Sequence, residues 1–201
     1  TAWDALVLQG ALSVGQTTLV HAGASGVGTA AIQVGCMVGA EVLVTVSGPK
    51  RRHCLDLGAV MAIDYQSDDW VGVVLEHTGG RGVDLVLDLV GGDYLDRNLE
   101  VVTIGGTIVQ VGLLGGGVAQ LTLGKLLTKR ASIVGTVLRS RSVEEKVALS
   151  RAFESEVLPW FDDGRLRVIV DRRYSLSEIS EAHRYMETNE SVGKIALDVS
   201  N

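Results

Sequence analysis

The stretch HAGASGVGTAAIQ, His21 to Gln33, sets three glycines within six residues and then turns apolar. It overlaps TTLVHA (17–22), a short apolar run with strand character, and Gly26 to Gly39 has the length of a helix. A glycine cluster between a strand and a helix is a tight βα turn. Gly23 suits the start of that turn. Gly26 leaves bare backbone where a Cβ would hold a phosphate away, and Gly28 lets helix and strand pack closely. The helix N-terminus adds unpaired N–H groups and partial positive charge. Ser25 stands where a GxGxxG pattern has its middle glycine, and its hydroxyl is a further donor for a phosphate oxygen. A ligand-free turn uses the same glycines, so taken alone they leave the two readings nearly even.

Outward from that turn, apolar runs alternate with helical stretches. EVLVTV (41–46), MAIDY (61–65), VDLVLDLV (83–90), TIVQVG (107–112) and ASIVGTVL (131–138) read as strands. Helices are expected over 3–12, 49–57, 70–77, 94–101 and 143–161, with a short basic one before residue 131. Ser47 would cap the second of these, with Pro49 in its first turn, where a missing N–H is harmless. RVIVDRRYS (167–175), a helix over 176–187 and GKIALDV (193–199) follow. Continuous apolar strands alternating with helices predict an α/β fold, a doubly wound parallel sheet of the Rossmann type. DDGR, after Phe161, breaks the pattern. The expected division is a dinucleotide-binding domain over 1–162 and a C-terminal segment over 163–201.

The second strand tips the balance that the glycines leave nearly even. About 20 residues past the glycines, an NAD site carries Asp or Glu for the ribose diol. Here that strand ends in Thr45, Val46 and Ser47, and Lys50, Arg51 and Arg52 follow at once. A 2′-phosphate is repelled by an acid and held by cations and hydroxyls. The pattern therefore favours NADPH, whereas the same basic knot elsewhere would be an ordinary solvated helix face.

Bulk properties agree. The net charge of −6 over 201 residues argues against a broad nucleic-acid surface. Cys36 and Cys54 form no CxxC pair and fall in predicted helices, which fits reduced thiols in a cytoplasmic protein. The uncharged stretch from Val101 to Gly124 is long enough to span a bilayer, but its glycines, glutamines and threonines read better as a buried strand and a glycine loop. Other chemistries are excluded by residue type. Thr29-Ala30 follow Gly28, so there is no P-loop GK[ST]. No tyrosine has a lysine four residues on, and no HExxH occurs, so no metal is expected. His21 reads as a packed strand-end residue. Asn189-Glu190-Ser191 forms a glycosylation sequon that is idle inside a cell.

"TAWDAL", "LSVGQTTLVHAGASGVGTAAIQ", "VTVSGPKRR", "DLVGGDYLDRNL", "GTIVQVGLLGGG", "LLTKRASIVGTVLRSR" and "EISEAHRYMETNESVGKIAL" together resemble the cofactor domain of the medium-chain dehydrogenase/reductase superfamily. The zinc-independent quinone oxidoreductases are the most similar group, in particular the branch of the tumour-suppressor-inducible quinone reductase. The resemblance implies NADPH-dependent reduction of quinones. It places Ser25, Gly26 and Val27 on the pyrophosphate, and Ser47 and Arg51 with Lys50 on the 2′-phosphate. Tyr65 falls near the adenosine end, Val90 and Gly91 at adenosine or ribose, and Gly112, Leu113 and Leu114 near the nicotinamide. It also implies a separate β-rich catalytic domain on the N-terminal side, against which 163–201 would pack, and a homodimer formed through strand 131–138. No catalytic acid is assigned within this chain. Rival readings are a non-catalytic NADP(H)-binding module and the cofactor domain of a zinc-containing alcohol dehydrogenase.

Overall fold

A computed structural model describes residues 1–199. Six parallel strands form one sheet in the order β3-β2-β1-β4-β5-β6. They are β1 (Thr17–Val20), β2 (Glu41–Val46), β3 (Met61–Asp64), β4 (Val83–Asp88), β5 (Val102–Gln110) and β6 (Ser132–Gly135). The order reverses between β1 and β4, which is the doubly wound Rossmann arrangement with its crevice at the strands' carboxyl ends.

Neighbouring residues on each strand point to opposite sides, and in β1, β2 and β4 both sides are buried. Val20, Val42, Val44, Leu85, Leu87 and Val109 face α1 (Gly26–Val38) and α6 (Val143–Glu156). Leu19, Leu43, Val86 and Ile108 face α3 (Trp70–His77) and α4 (Tyr94–Val101). This double burial is why the strands read as unbroken apolar runs. Gly39, at φ +83, closes α1 by donating to the carbonyls of Cys36 and Gly35, a left-handed cap that favours glycine.

The element ends differ from expectation for local reasons. The first helix is a π-turn, Asp4–Gln9, in which Gly10 N–H donates to Ala5 O at 3.0 Å. The helix expected over 49–57 is a 3-10 turn, Gly48–Lys50, continued by α2 (Arg51–Asp56). β5 begins at Val102, five residues before Thr107. Its pairing jumps from Val83–Val102 to Leu85–Thr107, so residues 103–106 bulge out, with Gly105 at φ +81. The expected 143–161 helix breaks at Val157 into α6 and α7 (Leu158–Asp162), because Pro159 offers no N–H to continue it. β6, preceded by α5 (Leu123–Lys129), stops at Gly135, short of the expected residue 138. Thr136 turns away, its hydroxyl accepting from Arg141 Nη2 at 2.6 Å.

The segment after α7 makes a second, two-stranded parallel sheet, β7 (Val170–Ser175) with β8 (Lys194–Asp198), joined through α8 (Ile179–Glu187). It rests against the large domain. Gln33 exchanges hydrogen bonds with the backbone of Arg167, at 3.1 and 3.0 Å. Gly193 N–H donates to Ala24 O at 2.8 Å, forming a bridge between Ser25 and Gly193.

Candidate functional site

A cleft of about 580 Å³ opens at the carboxyl ends of β1, β2 and β4. Its lining includes Ser25 and Gly26 at one end, and Ser47, Lys50 and Tyr65 at the other. Val90, Leu114 and Gly115 form one side, and Met186, Asn189, Ser191 and Gly193 the opposite one. A slightly larger depression, about 630 Å³, lies around Asp4, Thr136 and Arg141. There Asp4 and Arg141 already pair with each other at 2.7 Å.

The turn at the cleft floor leaves backbone donors open. Ser25 caps α1, its Oγ accepting from Gly28 N–H at 3.0 Å, which leaves the hydroxyl proton free. Among the described residues no acceptor meets the N–H groups of Gly26 or Val27. The left-handed residue of the turn is Ala22, at φ +53, and not a glycine. The glycines serve packing and approach. A Cβ on Gly23 would stand 2.6 Å from Val44 Cβ, and one on Gly28 would stand 2.6 Å from the Gly23 carbonyl oxygen. On Gly26 its nearest neighbours would be side-chain atoms of Lys194.

The expected site residues therefore divide. Ser25, Gly26, Ser47, Lys50, Tyr65, Val90 and Leu114 line the cleft. Gly23, Val27 and Gly28 lie in and just behind the turn. Gly91 and Gly112 support the wall: Gly91 bridges to Gly116, and a Cβ on Gly112 would stand 2.7 Å from Leu89 O. Leu113 is exposed outside the cleft. Arg51 also lies outside it. Its Nε donates to Ala62 O at 2.7 Å and its Nη2 pairs with Asp68 at 3.4 Å. The 3-10 turn before α2 directs Lys50 inward instead. Lys50 is 9 % exposed and donates from Nζ to Asn189 Oδ1 at 3.2 Å. Burial holds its ammonium below the usual lysine range. No carboxylate ends β2, and Asp64, at the end of β3, accepts from Gln66 N–H in its own loop.

Beneath the floor runs a polar relay that residue patterns alone did not disclose. Thr45 Oγ1 lies 2.9 Å from His21 Nδ1, and His21 Nε2 lies 2.8 Å from Asn98 Oδ1. Asn98 Nδ2 donates to Asp88 Oδ2 at 2.8 Å. Asp88 Oδ1 accepts from the N–H groups of Val90 at 2.6 Å and Gly91 at 2.9 Å. Asn98 Oδ1 can only accept, so Nε2 of His21 carries the proton and Nδ1 takes the threonine hydroxyl proton. Desolvation lowers the His21 pKa, opposed by the charge of Asp88. Tyr94, which lines the cleft, stands edge-on to His21 with ring centroids 4.8 Å apart. The relay ties β2, β1, α4 and β4 together where the site is formed.

The fold and the cleft define a Rossmann-type domain of the medium-chain dehydrogenase/reductase superfamily. The family described as zinc-binding dehydrogenase matches residues 57–197, and the chain belongs to it. Over 200 residues it is 30% identical to a phenolphthiocerol/phthiocerol polyketide synthase of Mycobacterium tuberculosis, covering 99% of this chain and 9% of that protein. The crystal structure of the Escherichia coli quinone oxidoreductase complexed with NADPH is similar at a TM-score of 0.87 and 29% identity, covering 98% of this chain and 61% of that one. A structure of an NAD-dependent alcohol dehydrogenase matches with a TM-score of 0.87 and 31% identity, over 100% of this chain and 56% of the other. The chain thus spans little more than half of those two enzymes and under a tenth of the synthase. Among the described residues no three His, Cys, Asp or Glu side chains converge to hold a metal ion.

Proposed function

We propose that this chain is the cofactor-holding portion of an NADPH-dependent oxidoreductase that reduces a quinone or a related activated carbonyl compound. The observation that carries the reading is the polarity of one cleft. A glycine turn with unpaired N–H groups sits at one end, and a buried lysine with Ser47 sits at the other, at a strand end without a carboxylate.

The residues fit the cofactor. Gly26 and Val27 N–H groups with the Ser25 hydroxyl would hold the pyrophosphate, aided by the α1 dipole. Lys50 and Ser47 would hold the 2′-phosphate. Arg51 would join them only by leaving Ala62 and Asp68. Tyr65, Tyr94 and Val90 give the adenosine end an apolar, aromatic wall. Leu114, with Leu113 beside it, follows β5 and would approach the nicotinamide. The cofactor, when bound, supplies a hydride; the protein orients it and keeps water away.

The similarity to a polyketide synthase favours one specific second reading, in which the reduced double bond belongs to an acyl chain rather than a quinone. In either case a separate catalytic domain would complete the substrate wall, and 163–201 would pack against it. Two copies would pair through the outer edge of β6. Light scattering at high concentration checks that pairing, and a persistent monomer counts against it.

The test is a calorimetric titration of the chain with NADPH and with NADH. Binding of NADPH at least about tenfold tighter than NADH is expected, the worth of one charge-assisted contact. Equal affinity for both would refute the choice of cofactor. Turnover with quinone and enoyl substrates, measured on the full-length protein, then separates the two reactions.

A further inference from the structure

Lys50 is the one charged side chain lining the cleft among the described residues, and its aim depends on a residue from the far end of the chain. A lysine ammonium on a four-carbon stem normally wanders. Here Nζ is pinned to Asn189 Oδ1 at 3.2 Å, across 139 positions of sequence. We propose that Asn189 is a specificity-determining positioning residue: it holds the Lys50 ammonium in the cleft and thereby selects a phosphorylated over an unphosphorylated ribose. This inference rests on the NADPH reading above.

The chemistry of position 189 is narrow. Its backbone lies at φ +55, just after α8, and its N–H donates to Met186 O at 3.2 Å. Among residues with a Cβ, asparagine and aspartate tolerate that left-handed conformation best, and glycine tolerates it freely. Glycine would therefore satisfy the turn but give Lys50 no acceptor. Aspartate would supply an acceptor, but its negative charge would neutralise the ammonium and repel an incoming phosphate. The neutral amide orients the cation without adding to the negative charge that Asp171 and Glu190 already exert on it. With one donor directed at the amide, the ammonium keeps two for phosphate oxygens. Asn189 lines the same cleft, so it stands beside the group it would help to select.

The experiment compares NADPH and NADH dissociation constants for the wild type, Asn189→Gly, Asn189→Asp, Lys50→Met and Lys50→Met/Asn189→Gly, with a thermal melt of each. Asn189→Gly should weaken NADPH about tenfold while changing NADH less than about threefold. Asn189→Asp should weaken NADPH further, with NADH again nearly unmoved. In the Lys50→Met background the glycine substitution should have no additional effect on either ligand. A residue that merely fills the turn would give the opposite pattern, with glycine harmless and the NADPH to NADH ratio unchanged in every Asn189 variant. That result would overturn the inference while leaving the cofactor reading in place. A wild type that binds neither dinucleotide would overturn the cofactor reading itself, and the inference with it.

Discussion

Replacing Asn98 with alanine removes the centre of the buried relay, and the structure lets the loss be sized. The side chain accepts from His21 Nε2 at 2.8 Å and donates to Asp88 Oδ2 at 2.8 Å, and all three residues are fully buried. Alanine leaves one imidazole N–H without an acceptor, which costs about 1–3 kcal/mol. It also strips one donor from a buried carboxylate, a loss of similar or larger size, although Val90 and Gly91 still serve the other oxygen. A destabilisation of roughly 3–5 kcal/mol is expected, equivalent to about 2–4 °C of melting temperature per kcal/mol for a domain of this size. Urea unfolding at pH 7.5 reads it directly. Thr45→Val, which removes only the hydroxyl donor to Nδ1, should cost about 1 kcal/mol. The double substitution should show coupling through His21, with a loss unequal to the sum of the two. A loss below about 1 kcal/mol for Asn98→Ala would refute the reasoning, because water or a rotated imidazole would then be satisfying the stranded groups.

Other outcomes follow from the same geometry. Burial lowers the His21 pKa, so the folded state resists a proton that the unfolded chain accepts near 6.5. The urea midpoint should therefore fall as pH drops below about 6.5 and flatten above it; His21→Gln should blunt that slope. For Gly26→Ala the nearest atoms are those of the flexible Lys194 side chain, so the variant should fold normally, yet under the proposed function it should lose NADPH and NADH together in titration, since its methyl would stand at the turn proposed to hold the pyrophosphate. Gly28→Ala drives a methyl into the Gly23 carbonyl and should lower the melting temperature as well. Burial pushes the Cys54 thiol up to about 11, whereas Cys36 is exposed. A disulfide-exchange reagent at pH 8 should modify Cys36 first and reach Cys54 only as the chain unfolds.

The sheet was legible because β1, β2 and β4 are buried on both faces, which writes continuous apolar runs into the sequence. Trp70–His77 and Tyr94–Val101 have the bounds that their patterns predict. Strand ends were less legible, since β5 and β6 are bounded by a glycine bulge and by the turning away of Thr136 rather than by composition. The choice between Lys50 and Arg51 was illegible for a geometric reason. Three residues of 3-10 turn wind more tightly than an α-helix, and that phase difference decides which cation faces inward. The relay joins residues 21, 45, 88 and 98 and leaves no local spacing to find. Asn189 and Ser191 reach the cleft only because the chain returns to its first turn. A glycine just ahead of the last strand, Gly193, was the only trace of that close approach.

The bridge between Ser25 and Gly193 has a consequence for biosynthesis. The glycine turn leaves the ribosome well before its opposing wall, which is translated more than 160 positions later. A nascent chain halted before β8 would own a sheet and a glycine turn yet hold a dinucleotide on one side only. Under the proposed function, coenzyme capture would await translation of β8, so ligand-induced protease resistance on stalled ribosomes should appear as an abrupt step once that strand has emerged.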